Sequence, residues 1–276
     1  MFSVVIPLYN KELSIRNTIQ SVLDQTCQDF EIVVVNDGST DNSAAVVEAI
    51  EDDRIRLIHQ KNQGVSAARN RGIKEARYEW IAFLDGDDLW GKAHLQEISL
   101  MMQKFPNEKV FVTSFEYSDK RPMFRHPRSE PIFKVENYFK EAMKESLMWT
   151  SIVVVHKSCI DEVGGFNENL KHGEDLDLWA RLAKQYHIVK SEKITGVYRV
   201  EAENRNISSF YPNKSMIFNY RFNDASSPDE ILYYKHKVIN ELRFYLRTGR
   251  VGLFLKLYAI HSRNTSLLSV LKLKGL

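Results

Sequence analysis

Cysteine is nearly absent from this 276-residue chain: there are two, Cys27 and Cys159. They form no metal-ligand spacing and no disulfide framework, and both are expected to be reduced, buried thiols. Neither sign of charge dominates. Lys and Arg number 38 against 36 Asp and Glu, a net charge of +2, so no general attraction to nucleic acid is expected. No apolar run approaches the ~20 residues that a membrane-spanning helix needs. The first strand is expected from about Ser3, which leaves no room for a signal peptide. No Gly-x-Gly-x-x-Gly follows that strand, and no Gly-Lys-Ser/Thr loop occurs. A dinucleotide-binding Rossmann domain and a Walker-type loop are therefore not expected. Internal repeats and low-complexity tracts are also missing.

What is present is an alternation of short apolar runs and amphipathic segments. Ser3–Pro7, Phe30–Val35, Arg54–Ile58 and Trp80–Leu84 read as buried strands. Lys11–Gln25, Ser43–Ile50 and Gly64–Ala76 read as the helices between them. This pattern predicts βαβ units and a mostly parallel central sheet flanked by helices. A helix over Lys92–Phe105, a strand near Val110–Phe115, a proline-rich surface loop over Ser118–Pro131, a helix over Tyr138–Met148, a strand over Ile152–Val155 and a helix over Glu174–Gln185 follow. Beyond Ser208 the pattern becomes helical, with Ser227 as cap and Pro228 at the first helical position.

The chemistry begins at Asp85-Gly86-Asp87-Asp88, directly after the fourth strand. Three carboxylates in four residues repel one another unless a cation is supplied, and open α/β sheets place ligands at this strand end. Oxygen-only ligands select a hard ion, Mg²⁺ or Mn²⁺. The competing reading is a solvated acidic turn. A second carboxylate group, Glu174-Asp175, opens a later helix, where the helix dipole alone would favour acidic residues.

Taken in order, Val5-Ile6-Pro7-Leu8-Tyr9-Asn10, Val35-Asn36-Asp37-Gly38-Ser39, Asn62–Gly72, the acidic cluster, Gly164-Gly165-Phe166-Asn167-Glu168 and Gly173–Trp179 resemble the inverting family 2 glycosyltransferases. That resemblance covers about residues 1–200 and implies the GT-A fold, a nucleotide-binding α/β sandwich. It implies that Asp37 hydrogen-bonds the nucleobase in a pocket lined by Pro7, Tyr9 and Glu12, with Tyr9 stacking on the base. Asp37 also reads as an Asx-turn closing the second strand. Arg69 would reach the base or a phosphate; a solvated helix charge is the alternative. Asp87 would be the direct metal ligand, Asp85 would contact the ribose or a metal-bound water, and Asp88 would support them. Asp175 would be the general base that takes the proton of an acceptor hydroxyl, and Glu174 would hold the acceptor or orient Asp175. Trp179, on the apolar stripe of its helix, reads as core. Trp149, His172 and Arg199 are further candidates for acceptor or phosphate contact. Relatives often carry a histidine after a Tyr-Arg pair, but Tyr198-Arg199 here is followed by Val200-Glu201-Ala202-Glu203, so that extra metal ligand is missing.

The resemblance thus implies a metal-dependent enzyme moving a sugar from a nucleotide sugar, a UDP-sugar, to a saccharide or lipid-linked acceptor in polysaccharide biosynthesis. The alternatives are an inactive nucleotide-sugar-binding module and a nucleotidyltransferase. The latter would want a basic glycine-rich loop where Pro7-Leu8-Tyr9-Asn10 stands. The expected domains are a catalytic unit over 1–207, divided near 117 into nucleotide and acceptor halves, and a helical extension over 208–276. From Lys235 to Lys274 the extension carries nine Lys or Arg and one acidic residue, Glu241. It reads as a helical cap packed on the catalytic unit, or as a basic face on an anionic membrane. The expected location is cytoplasmic, with peripheral contact at the inner membrane surface.

Overall fold

In the computed structural model, residues 1–204, 210–222 and 227–271 are described. The chain opens with β1 (Phe2–Leu8), α1 (Ile15–Leu23), β2 (Phe30–Asn36), α2 (Ser43–Glu48), β3 (Ile55–His59), α3 (Val65–Glu75) and β4 (Trp80–Phe83). These elements match the sequence expectation to within a few residues at the ends. β1 alternates cleanly: Phe2, Val4, Ile6 and Leu8 enter the core beneath α1, and Val5 faces the opposite core. Period-two alternation with both faces apolar is what a strand covered on both sides requires.

The second half supplies β5 (Leu89–Trp90), α4 (His94–Lys104), β6 (Val110–Tyr117), β7 (Ile132–Lys134), α5 (Tyr138–Glu141), β8 (Val153–His156), α6 (Lys157–Val163), α7 (Glu174–Ala183) and β9 (Ile188–Tyr198). The helix expected over Tyr138–Met148 is a single turn. The chain leaves it so that Leu147 and Met148 enter the core and the buried Glu145 carboxylate accepts a bond from His126 N at 2.9 Å.

The nine strands of the described residues form one sheet in the order β3-β2-β1-β4-β8-β6-β9-β5, with β7 also pairing β9. From β3 to β4 the pairing is parallel. Beyond β4 the sheet is mixed: β8 runs antiparallel to β4 and β6, and β9 runs parallel to β6. The parallel register brings the C-terminal ends of β1, β2 and β4 to one edge, and the site lies there. α1 and α4 cover one face, and α6 and α7 cover the other.

The extension holds α8 (Met216–Asn219), α9 (Pro228–Arg247), α10 (Val251–His261) and α11 (Leu267–Leu271). Ser227 caps α9 by accepting from Glu230 N. Of the two readings of the extension, packing is observed. Tyr233 and Tyr234 of α9 join the same core as Leu178 and Trp179 of α7, while Val238, Leu242 and Tyr245 form a second core with Phe254 and Leu257 of α10. The domain boundary expected at 207–208 lies outside the described residues, as do Lys272 and Lys274. No described helix is long and apolar enough to cross a membrane.

Candidate active site

The loops after β1 and β2 are locked together by side chains that the sequence puts at both strand ends. Asn10, held at φ 50°, accepts from Thr40 N at 2.8 Å, and its own N–H donates to Ser39 Oγ at 3.1 Å. Glu12 accepts from Asn42 N at 2.9 Å. Asp37 is 3% exposed and anchors the start of α3: it accepts from Gln60 Nε2, Gln63 N and Gly64 N at 2.8–2.9 Å. It therefore ties the β2 end to α3 rather than forming a local turn. Pro7 is partly buried at the end of β1, and the Tyr9 ring beside it is 40% exposed.

Each carboxylate of the acidic cluster has a different partner. Asp85 receives Arg69 Nη2 at 2.6 Å, and Asp87 receives Lys11 Nζ at 2.8 Å. Asp88, 1% exposed, accepts from Ser151 Oγ at 2.8 Å and from Arg199 N at 3.2 Å. Burial, reinforced by the charges of Asp85 and Asp87, pushes the Asp88 carboxyl well above the usual carboxylate range. Gly86 is needed for the turn's approach to β1: a Cβ there would meet Pro7 O at 3.0 Å. The cluster is thus a fixed shape pressed against the first strand.

The second carboxylate pair opens α7, after Gly173 at φ +76°. Arg69 joins the two pairs. It lies on α3, is 4% exposed, and reaches Glu174 Oε1 with Nη1 at 3.3 Å while holding Asp85 with Nη2. The solvated-charge reading of Arg69 is therefore overturned: its guanidinium lies over the Phe166 ring, 5.0 Å from the centroid. Burial opposes its charge, but Asp85, Glu174 and Asp175 outweigh burial and raise its pKa. Burial in turn raises Glu174 and Asp175 above the usual carboxylate range, with Arg69 opposing. Asp177, in the same first turn, is instead paired with Arg181 at 2.8 Å.

The remaining candidates divide. Trp149 is part of an aromatic cluster with Phe115 (4.5 Å) and Tyr198 (5.3 Å), beside the turn that carries Ser151. Arg199 donates from Nε to Glu201 and from Nη1 to Ser14 Oγ. His172 is half-buried. Its ring packs on Phe210, and burial with Lys171 nearby lowers its pKa. Trp179 is fully buried against Phe83 and Phe166, as its stripe implied.

Three residues were missed. Lys11 also donates to Glu203 O at 2.5 Å, and the Glu203 carboxylate accepts from Leu13 N and Ser14 N at the start of α1. Ser151 bonds both Asp88 and Asp85 N. A lysine directly after the first strand was a usable signal; Glu203 and Ser151 act across gaps that no local pattern reveals.

A mixed sheet with a parallel N-terminal half and two carboxylate clusters at its edge fits the GT-A glycosyltransferase fold. Comparison with known proteins agrees. A structure of S. aureus TarS 1-349 in complex with UDP-GlcNAc superposes with a TM-score of 0.76 at 20% identity, covering 95% of this chain and 82% of that one. The family model described as glycosyl transferase family 2 matches residues 3–164. An uncharacterized glycosyltransferase of Rickettsia bellii is 32% identical over 216 residues, 77% of this chain and 30% of that protein. Another, EpsJ of Bacillus subtilis, is 34% identical over 184 residues, 63% of this chain and 54% of that protein. The chain belongs to glycosyl transferase family 2. It spans between 30 and 54% of the length of these two curated relatives.

Proposed function

We propose that this chain catalyses metal-dependent, inverting transfer of a sugar from a UDP-sugar to a saccharide or lipid-linked saccharide. The observation that carries the reading is the Arg69 bridge, which puts a carboxylate suited to the leaving group and a carboxylate suited to the nucleophile on either side of one guanidinium. In this reading Asp37, Pro7, Tyr9 and Glu12 receive the nucleoside, Tyr9 by stacking, and Asp85 meets the ribose. Asp175 accepts the proton of the acceptor hydroxyl as its oxygen bonds to the anomeric carbon and the bond from that carbon to the diphosphate breaks. One displacement from the opposite face inverts the anomeric centre. Glu174 orients the base, and Trp149 is a platform for the acceptor.

Among the described residues no group of three His, Cys, Asp or Glu could hold a metal unaided. A hard ion that takes one carboxylate and completes its shell with water and diphosphate oxygens fits Asp87, whose Oδ2 already accepts a cation, Lys11. Mn²⁺ or Mg²⁺ bound there would neutralise charge growing on the leaving diphosphate. A crystallised TarS complex contains UDP, which supports the choice of nucleotide.

The catalytic unit is proposed to run over 1–207, with the helical extension from 208. Val251, Leu255, Leu267, Leu268 and Leu271 are exposed on the extension near Arg247, Arg250, Lys256 and Arg263. This supports contact with an anionic membrane carrying a lipid-linked acceptor. Two free cysteines and a nucleotide-sugar donor suit the cytoplasmic side.

The test is turnover of a panel of UDP-sugars with and without Mn²⁺. Asp175→Asn is expected to lose about 10²–10⁴-fold in rate with nucleotide binding intact, and Asp87→Ala to lose metal-dependent binding. Nucleotide binding with no wild-type turnover above that of Asp175→Asn would make the chain a binding module instead.

A further inference from the structure

A cleft of about 400 Å³ opens beside the loop that follows β6, lined by Glu116, Lys120, Arg121, Met123, Arg125 and Ile194. None of these residues has a part in the donor or base assignments. The cleft is nonetheless of the size of a small-molecule site, which spans roughly 300–1,000 Å³. Met123 and Ile194 give it an apolar side, and three cations give it a polar one.

The turn at the end of β6 carries two of the cations. Lys120 N donates to Tyr117 O at 2.9 Å, with Lys120 held at φ 57°. Lys120 pairs with Glu116, four residues back, and Arg121 Nε donates to both oxygens of Asp119 at 2.9–3.0 Å. Both pairs are exposed, and exposed pairs are held weakly. Arg125 has no such partner. It donates from Nη2 to Phe115 O at 2.8 Å, and among the described residues no carboxylate is within ion-pair distance of it.

A second, much smaller space shares Met123 and Arg125 with the cleft and is lined also by Lys190 and Glu145. Lys190, 3% exposed, stands 3.8 Å from Glu145. Burial lowers the Lys190 pKa to about 8; Glu145 opposes this, and the charges of Arg125 and Arg128 add to it. The Lys190–Glu145 pair therefore supplies no spare negative charge. With Glu116 set against Lys120 and Asp119 against Arg121, the charge of Arg125 is left over.

The cleft lies on the edge of the sheet that carries the site. β4 and β6 both run antiparallel to β8, and β9 runs parallel to β6, so the C-terminal ends of β4, β6 and β9 share that edge. The Arg121 guanidinium lies 4.9 Å from the centre of the Tyr117 ring. Tyr117 meets Tyr198 at 5.2 Å, and Tyr198 meets Trp149 at 5.3 Å. Arg199, the next residue, donates from N to Asp88 at 3.2 Å. A row of aromatic rings thus runs from the cleft to the acceptor platform, one residue from a contact of the acidic cluster.

We propose that this cleft binds a phosphate group of the acceptor through Arg125, Arg121 and Lys120. The proposal rests on the reading of Trp149 as the acceptor side. A carboxylate is satisfied by one guanidinium fork. A phosphate monoester offers further oxygens and a second charge, which suits several cations lining one space.

The test is calorimetric titration of the full chain, saturated with UDP and Mg²⁺ to fill the donor site, with glucose 1-phosphate and separately with geranyl phosphate. Arg125→Gln is expected to weaken binding by about tenfold. Glu116→Gln, which releases Lys120, is expected to tighten it by about two- to fivefold, a gain that misfolding does not produce. The probe that binds more tightly assigns the phosphate to a saccharide or to a lipid carrier, and either upholds the site. No binding by wild type, equal affinity in Arg125→Gln, or no tightening in Glu116→Gln overturns it. Phosphate binding that depends on Arg125 in a chain without turnover upholds the site and locates the failure in the proposed activity; turnover without phosphate binding does the reverse.

Discussion

Arg69→Met removes the one cation that joins the two carboxylate pairs while keeping an unbranched apolar stem against Phe166. The Arg69 side chain is 5% exposed, Glu174 14% and Asp85 26%. Deleting one partner of a buried ion pair costs ~3–5 kcal/mol, because the other charges stay behind uncompensated. Water at Asp85 takes up part of this, so about 3 kcal/mol is expected at neutral pH. For a chain of this size that corresponds to a Tm lowered by roughly 6–12 °C. Without Arg69 the folded-state pKa values of Glu174 and Asp175 rise further above their unfolded values. The penalty is then fullest above those pKa values and shrinks as the carboxylates protonate. Thermal unfolding followed by circular dichroism at pH 7.5 and pH 5 should give a large deficit at the first and a smaller one at the second. Arg69→Lys, which keeps the charge but loses the fork, should fall between. A Tm within 2 °C of wild type, or a deficit that grows on acidification, would refute the bridge.

Lys11→Met removes the cation competing for Asp87, so Mn²⁺ binding without nucleotide should tighten by about tenfold in an electron paramagnetic resonance titration; weaker binding would contradict the assignment of Asp87. His94 is fully buried, bonded through Nδ1 to Thr195 Oγ1 at 2.7 Å, and burial lowers its pKa to about 3. Its contribution to stability is complete above the unfolded pKa and is lost as pH falls towards 3, about 2 kcal/mol by pH 5. His94→Gln should flatten that part of the acid loss in urea titrations at pH 7.5 and 5, and an unflattened loss would exclude His94 as its source. The purified chain should sediment with phosphatidylglycerol vesicles and not with phosphatidylcholine vesicles, and Leu255→Asp with Leu268→Asp should release it; equal binding to both lipids would remove the charge-led membrane reading.

The N-terminal half was legible because its strands are buried on both faces and its helices are short and strongly patterned. β9 was missed because Lys190, Ser191, Glu192 and Lys193 interrupt its apolar run. Lys190 is nonetheless 3% exposed, facing Glu145 at 3.8 Å, a pairing across 45 residues that composition hides. β5 and β7 are two and three residues long, too short to carry a period. Within the site the residue types at Asp37, Asp85, Asp87, Glu174 and Asp175 were readable from local motifs. The burial of Arg69 was not legible, for a physical reason. Its helix is rich in alanine and arginine with a weak apolar stripe, and Arg69 is covered by Asp85, Phe166 and Glu174, the last 105 residues away.

The central claim is that Asp175 acts from the face opposite the leaving diphosphate. Proton NMR of the first sugar product formed from an α-linked UDP-sugar, recorded before mutarotation, tests it most directly. A β anomer appearing first, and only slowly in Asp175→Asn, is the expected result; an α anomer appearing first would contradict the inverting geometry.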